Sequence, residues 1–225
     1  MKRVFVTGTD TGVGKTTVAC ALLAAFARRG RVVAAMKPCE TGGGDDAQNL
    51  AAATGRALDG ALVCPYRFPL PASPEVAAAE AGATVELAPI RDAFARLTCD
   101  AELALVEGAG GLLVPLGGGR NMADLAAALE LPLLIVARAS LGTVNHTLLT
   151  VEAARRRNLR VAGVILSRAA DTAGPDEPSN PLAIARHGDV RVFGTLPRCT
   201  NTRDFPSLAA LAENHLDLDA LWSAL

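Results

Sequence analysis

One stretch near the start of the chain constrains it more than any other: VFVTGTDTGVGKTT, residues 4–17. An apolar, β-branched run breaks into a glycine-rich loop, and Lys15-Thr16 then opens an Ala/Leu-rich segment of helical character. Gly12 and Gly14 allow backbone N–H groups to turn inward around phosphate oxygens, and the helix start adds partial positive charge. In such a loop Lys15 reaches the β- and γ-phosphates and the Thr16 hydroxyl serves a Mg²⁺ ion. The spacing departs from the usual GxxxxGK[ST], because five residues separate Gly8 from Gly14 and Thr9 stands where the first glycine would be. A strand, loop and helix in this order point to a nucleoside triphosphate and to an α/β fold.

The rest of the chain follows that pattern. Short β-branched runs at 3–7, 31–36, 103–106, 133–137, 161–166 and 190–194 predict strands, and helices are expected at 15–29, 46–54, 89–97, 121–129, 143–158 and 207–215. Several strands are apolar almost throughout, as when helices cover both faces of a parallel sheet. The expectation is a single α/β domain over residues 1–225, a mostly parallel sheet flanked by helices, with P-loop NTPase architecture. Segment 171–180 (DTAGPDEPSN) reads as a mobile surface loop.

Composition narrows the partners. A formal charge of −1 lacks the basic footprint of a nucleic-acid or anionic-membrane binder, and eight aromatic residues cannot build a base-stacking platform. Five scattered cysteines without a CxxC pair predict neither a disulfide framework nor a zinc site. The longest apolar stretches, such as 131–137, fall short of a membrane span. Met1-Lys2-Arg3 resembles the start of a signal peptide, but only three apolar residues follow before the loop, so a cytoplasmic location is expected.

In open α/β sheets ligands bind outside the carboxyl ends of the strands. Lys37 directly follows the second strand, and beside a phosphate loop a second cation stabilises a transferred phosphoryl group or an anionic nucleophile. Glu107 ends the third strand before Gly108-Ala109-Gly110-Gly111, the place of a Walker-B-type acidic group that holds Mg²⁺ directly or through water. Asp45 and Asp46 precede a helix, where either can cap it or complete a Mg²⁺ shell; spacing favours Asp46. His146 reads as a helix residue rather than a base, and Arg155-Arg156-Arg157 as a solvated run at a helix end.

Taken together, these residues resemble the dethiobiotin synthetases, of the ParA/MinD-like branch of P-loop proteins. The resemblance is carried by residues 6–16, Lys37-Pro38, Thr41-Gly42, Ser73-Pro74, residues 106–111, Pro115-Leu116 and LGTVNHTLLT at 141–150, and runs from residue 2 to about 197. It implies an ATP- and Mg²⁺-dependent ligase that closes the ureido ring of dethiobiotin from 7,8-diaminopelargonic acid and CO₂, through a carbamate and a carbamic-phosphoric anhydride. By position it implies Lys37 and Lys15 as catalytic lysines, and Thr16, Asp46 and Glu107 as the metal shell. The nucleotide set would be Thr11, Gly12, Val13, Gly14, Lys15, Thr16, Thr17, Glu107, Gly108, Ala109, Gly110, Ser167 and Pro197. Thr41, where the family usually has Ser, would hydrogen-bond the diamine or carbamate. The family is a homodimer, and Gly142, Thr143, Val144 and Asn145 of one subunit would reach the other's substrate site.

Two departures touch base recognition. Family members often carry Asn at the end of the fifth strand to read adenine, where this chain has Ser167 followed by Arg168. Pro197-Arg198-Cys199 replaces a more usual apolar neighbour after the sixth strand. The alternative reading is a regulatory ATPase switch of the ParA/MinD type. It shares fold and loop, but its signature lysine is replaced here by Asp10.

Overall fold

Six strands, most of them buried along much of their length, lie side by side, all parallel, in the computed structural model, which describes residues 1–168 and 174–225. In chain order the elements are β1 (Lys2–Gly8), α1 (Lys15–Arg28), β2 (Val33–Met36), β3 (Cys39–Thr41), α2 (Asp46–Ala53), α3 (Gly60–Val63), β4 (Tyr66–Phe68), α4 (Pro74–Glu80) and α5 (Leu87–Leu97). Next come β5 (Leu103–Gly111), β6 (Pro115–Gly117), β7 (Arg120–Asn121), α6 (Met122–Ala128), β8 (Leu133–Arg138) and α7 (Thr143–Arg155). The chain ends through β9 (Val161–Ser167), α8 (Asn180–Gly188), β10 (Val192–Leu196), α9 (Phe205–His215) and α10 (Leu218–Ala224). The central sheet has the order β10-β9-β8-β1-β5-β2, with β3–β4 and β6–β7 as two-stranded ribbons beside it.

Period-two alternation explains why these strands read as unbroken apolar runs. Val4 and Val6 face one core with Leu103, Leu105, Leu134 and Val136, under α1, α9 and α10. Phe5, Ala104, Val106 and Leu133 face a second core under α5 and α6. A smaller cluster of Ile135, Val164 and Leu166 packs against Val151 of α7 and Ile184 of α8. Each fully buried Leu or Phe contributes about 1.5–3 kcal/mol, so the sheet is a rigid floor for whatever its ends carry. Among the described residues no helix is long and apolar enough to cross a membrane.

The six sheet strands and six expected helices all form, with shifts at their ends. β5 does not stop at Val106 but runs on to Gly111, so Glu107–Gly111 belong to the strand. β10 starts at Val192 rather than 190, because Asp189 takes a left-handed conformation (φ 43°) and the Val190 N–H closes the turn of α8 onto Ala185 O. α7 stops three residues early, ahead of Asn158 with its φ of 56°. Of the expected mobile loop, residues 171–173 lie outside the described residues. The remainder is tied down: Arg168 Nε pairs with Glu177 Oε2 at 2.8 Å, and buried Asn180 opens α8.

Candidate active site

Strand register assembles the site. β2 and β5 pair Met36 with Val106, so the next residues, Lys37 and Glu107, come side by side at the carboxyl edge. β1 and β5 pair Val6 with Glu107, which puts the glycine-rich loop on the other side of the same carboxylate. Residues distant in sequence thus meet at the end of three adjacent strands.

The loop has the form its sequence requires. Gly14 caps α1 in a left-handed conformation (φ 91°), and a Cβ there would fall 2.4 Å from Ser167 Oγ, so only glycine fits. No side chain caps α1, which leaves its first-turn amides to an anion. The Thr11 N–H donates to Asp10 Oδ1 at 2.7 Å, and Asp10 also pairs with Arg138 at 3.1 Å. Lys15 is buried, its Nζ 3.3 Å from Asp10 O. Burial holds its pKa below the ordinary lysine value; the attraction of Glu107 works against this and the repulsion of Lys37 adds to it.

Glu107 is the hub. It is 1% exposed, and its Oε1 accepts from the Thr16 hydroxyl at 3.0 Å and from Lys37 Nζ at 2.5 Å. Lys37, 5% exposed, also donates to Asp46 Oδ2 at 3.1 Å and to Gly108 O at 3.5 Å. Burial alone would lower the Lys37 pKa. The attraction of Glu107 and Asp46, with the hydrogen bonds to both, outweighs it and keeps the ammonium charged well above the usual lysine range. Glu107 Oε2 is buried and has no hydrogen-bond partner in the protein. A buried carboxylate oxygen left unpaired is costly unless a cation or water meets it. With Thr16 Oγ1 and the Asp46 carboxylate close by through shared partners, the donor set is all oxygen, which suits Mg²⁺.

A cleft of about 370 Å³ opens over this group, lined among others by Thr11, Gly12, Gly14, Thr17, Thr41, Ala109 and Gly110. The structure separates the two aspartates. Asp46 turns inward to Lys37, whereas Asp45 turns outward to an ion pair with Arg203. Val13 points into the core and Gly108 is buried, so these two offer the cleft only backbone. Ser167 stands behind Gly14 rather than in this cleft, and the half-buried Pro197 follows buried Leu196 at the end of β10. Gly142 caps α7 and Asn145 is exposed, whereas the Thr143 side chain is turned inward and buried. It shares the inward stripe of Thr147 and Val151, one and two helical turns further on.

Sequence reasoning missed Glu40, Cys39 and Arg67. Cys39 and Glu40 line the cleft beside Thr41, and buried Glu40 pairs with Arg67 Nη1 at 2.6 Å. The burial of Cys39 raises its thiol pKa to about 12, so it is no nucleophile. The signal for the ribbon that holds them was faint, since β3 and β4 span three residues each. Ser73-Pro74, by contrast, is a cap followed by an N1 proline and could have announced α4.

Comparison with known proteins bears on the site. A family model described as an AAA domain matches residues 2–204. Among curated relatives, the ATP-dependent dethiobiotin synthetase of Anaeromyxobacter dehalogenans (strain 2CP-C) is 50% identical over 201 residues, covering 88% of this chain and 90% of that protein. Proteins of the same name from Nitrosospira multiformis and Bacillus velezensis are 42% and 36% identical. They cover 94% and 98% of this chain, and 96% of each relative. Among solved structures, the MinC:MinD cell division protein complex of Aquifex aeolicus aligns with a TM-score of 0.58 at 15% identity, over 99% of this chain and 95% of that one. The 54 kDa signal recognition particle protein of Aeropyrum pernix aligns at 0.53 and 18% identity, over 99% and 48%. These two likenesses concern the fold alone.

Proposed function

Since the chain belongs to the dethiobiotin synthetase family, we propose that it is the ATP-dependent ligase that closes the ureido ring of dethiobiotin from 7,8-diaminopelargonic acid and CO₂. The observation that carries this reading is the buried Lys37–Glu107–Asp46 group with Thr16, set beside a free helix start. Bound at the loop, ATP supplies the phosphoryl group that turns a carbamate oxygen into a leaving group. The α1 amides and Lys15 hold the phosphates, and Thr16, Asp46 and Glu107 would hold the Mg²⁺ that offsets their charge. Lys37 keeps its proton and sits where two anions, carbamate and phosphoryl, must approach one another, so it lowers their repulsion. The Thr41 hydroxyl, on the cleft wall at the end of β3, orients the diamine or its carbamate. Ser167 and Pro197 support the nucleotide from behind the loop and from the end of β10. The test mixes the protein with Mg-ATP, bicarbonate and the diamine and looks for dethiobiotin by mass spectrometry. Diamine-dependent product and phosphate are expected; ATP hydrolysis that ignores the diamine would overturn the reading.

The same reading makes the enzyme a homodimer with Gly142, Thr143, Val144 and Asn145 of one subunit near the substrate end of the other. A groove of about 520 Å³ supports it, since it is lined both by Thr9, Asp10 and Thr11 of the loop and by His146 and Leu149 of α7. Leu113 and Leu149, which line it, are about half exposed. Contiguous exposed apolar side chains of this kind mark an interface. Sedimentation at micromolar concentration should give two chains for the wild type and one for Leu149→Asp, with synthesis lost alongside. A wild type that sediments as one chain would remove the shared site.

A further inference from the structure

A buried carboxylate that the chemistry above does not use lies at the wall of the same cleft. Glu40 is 4% exposed and both its oxygens are taken. Oε2 pairs with Arg67 Nη1 at 2.6 Å, and Oε1 accepts from the Ala47 N–H at 3.0 Å. Each oxygen is thus held by a bond to the protein's own framework, which fixes the carboxylate in place. What it does hold is the start of α2. Ala47 is the second residue of that helix, directly after Asp46, and its N–H is one of the donors that a helix start leaves unpaired. Asp45 occupies the capping position but makes no capping bond, because its side chain turns out to Arg203. Glu40 supplies that bond from another element, and its negative charge suits the helix start.

The other end of Glu40 is equally fixed. In the parallel β3–β4 ribbon Glu40 stands directly opposite Arg67, so the ion pair joins register partners. The Gly42 N–H then bonds Phe68 O and closes the ribbon just after Thr41. Arg67 therefore holds Glu40, Glu40 holds the first turn of α2, and that turn carries Asp46 to Lys37 at 3.1 Å.

We propose that Glu40 is the positioning residue of the metal end of the site: it caps α2 in place of Asp45 and thereby aims Asp46. The proposal rests on the reading of Asp46 as a metal group. Residues that orient metal-binding carboxylates cost about 10–100-fold in metal affinity when removed. The test titrates Mn²⁺, read by electron paramagnetic resonance, into protein saturated with a non-hydrolysable ATP analogue. Glu40→Ala should bind Mn²⁺ at least about tenfold more weakly than wild type, with metal-free binding of the analogue unchanged. Added to Asp46→Asn, it should cause no further loss, because it acts through Asp46. Wild-type Mn²⁺ affinity in folded Glu40→Ala would overturn the proposal, as would an equal further loss on the Asp46→Asn background. Should Glu40→Ala fail to fold, Arg67→Ala frees Glu40 from the half-exposed side of the pair. It should weaken Mn²⁺ in the same direction, and an unchanged affinity there would likewise overturn the proposal. Failure of the wild type to hold Mn²⁺ beside the analogue would instead strike the reading of Asp46 itself.

Discussion

Lys37→Ala should lower the rate of dethiobiotin formation by about two to three orders of magnitude, the loss seen when one preorganised charge-stabilising donor leaves a water-poor site. Nothing else in the cleft replaces it. Lys15 lies on the opposite side of Glu107 in the phosphate loop, and its Nζ is drawn to Asp10 O. The substitution also removes the ammonium that pairs with the fully buried Glu107 side chain. Breaking a buried pair in this way costs about 3–5 kcal/mol, so the free enzyme should melt earlier than wild type. Mg²⁺ with nucleotide should restore part of that stability by meeting the carboxylate from the other side. Single-turnover kinetics and thermal melts with and without Mg-ATP check both halves. Near-normal turnover would take Lys37 out of the reaction.

Glu107→Gln is the second large effect, and it discriminates more sharply. The amide keeps the shape and can still accept from Thr16, but it offers no charge to a metal or to Lys37. Metal-dependent nucleotide binding should weaken by at least about tenfold and synthesis should fall by about a hundredfold or more. The pH behaviour follows from the sign of the lysine shift. In the wild type Lys37 titrates above the ordinary lysine value, so its pairing stabilises the fold fully below about pH 10 and is lost as pH rises through the folded-state pKa. Removing Glu107 takes away the largest force opposing burial and leaves Asp46 alone to hold the charge. The folded-state pKa then drops, and once burial holds it below the unfolded value the charged lysine costs stability that is regained as pH rises through the folded-state pKa. Thermal melts from pH 6 to 9 should be flat for the wild type with respect to this group and should rise with pH for Glu107→Gln. Parallel profiles would contradict the assignment of Glu107 as the counter-charge.

What the sequence disclosed about this site, and what it hid, follows from the range of the forces involved. Lys15, Thr16, Lys37 and Glu107 were legible because each directly follows a strand or a loop of distinctive composition, and parallel register then brings strand ends together without further instruction. The choice between Asp45 and Asp46 was not legible, because it turns on Arg203, which lies 158 positions away in the chain. Glu40 was hidden for the same reason: its two partners are a helix amide and a residue on another three-residue strand. The burial of the Thr143 side chain was not legible either, because it depends on which side of α7 meets the sheet. Extended strands survived the passage from pattern to structure with small end shifts; short ribbons and brief helices carry too few residues for periodicity to register.

The strand order has a consequence for how the molecule is made. β1 lies between β5 and β8, both made well after it, and its register sets Leu103 of β5 opposite Lys2 and Leu133 of β8 opposite Phe5. Joining β1 to β5 closes a loop of roughly a hundred residues, and contacts of such separation slow folding because the chain entropy is lost before the pairing rewards it. Until then the apolar β1 and α1 have no sheet to rest on. The phosphate loop between them, the earliest part of the site to be synthesised, therefore waits for β5, the strand that carries Glu107.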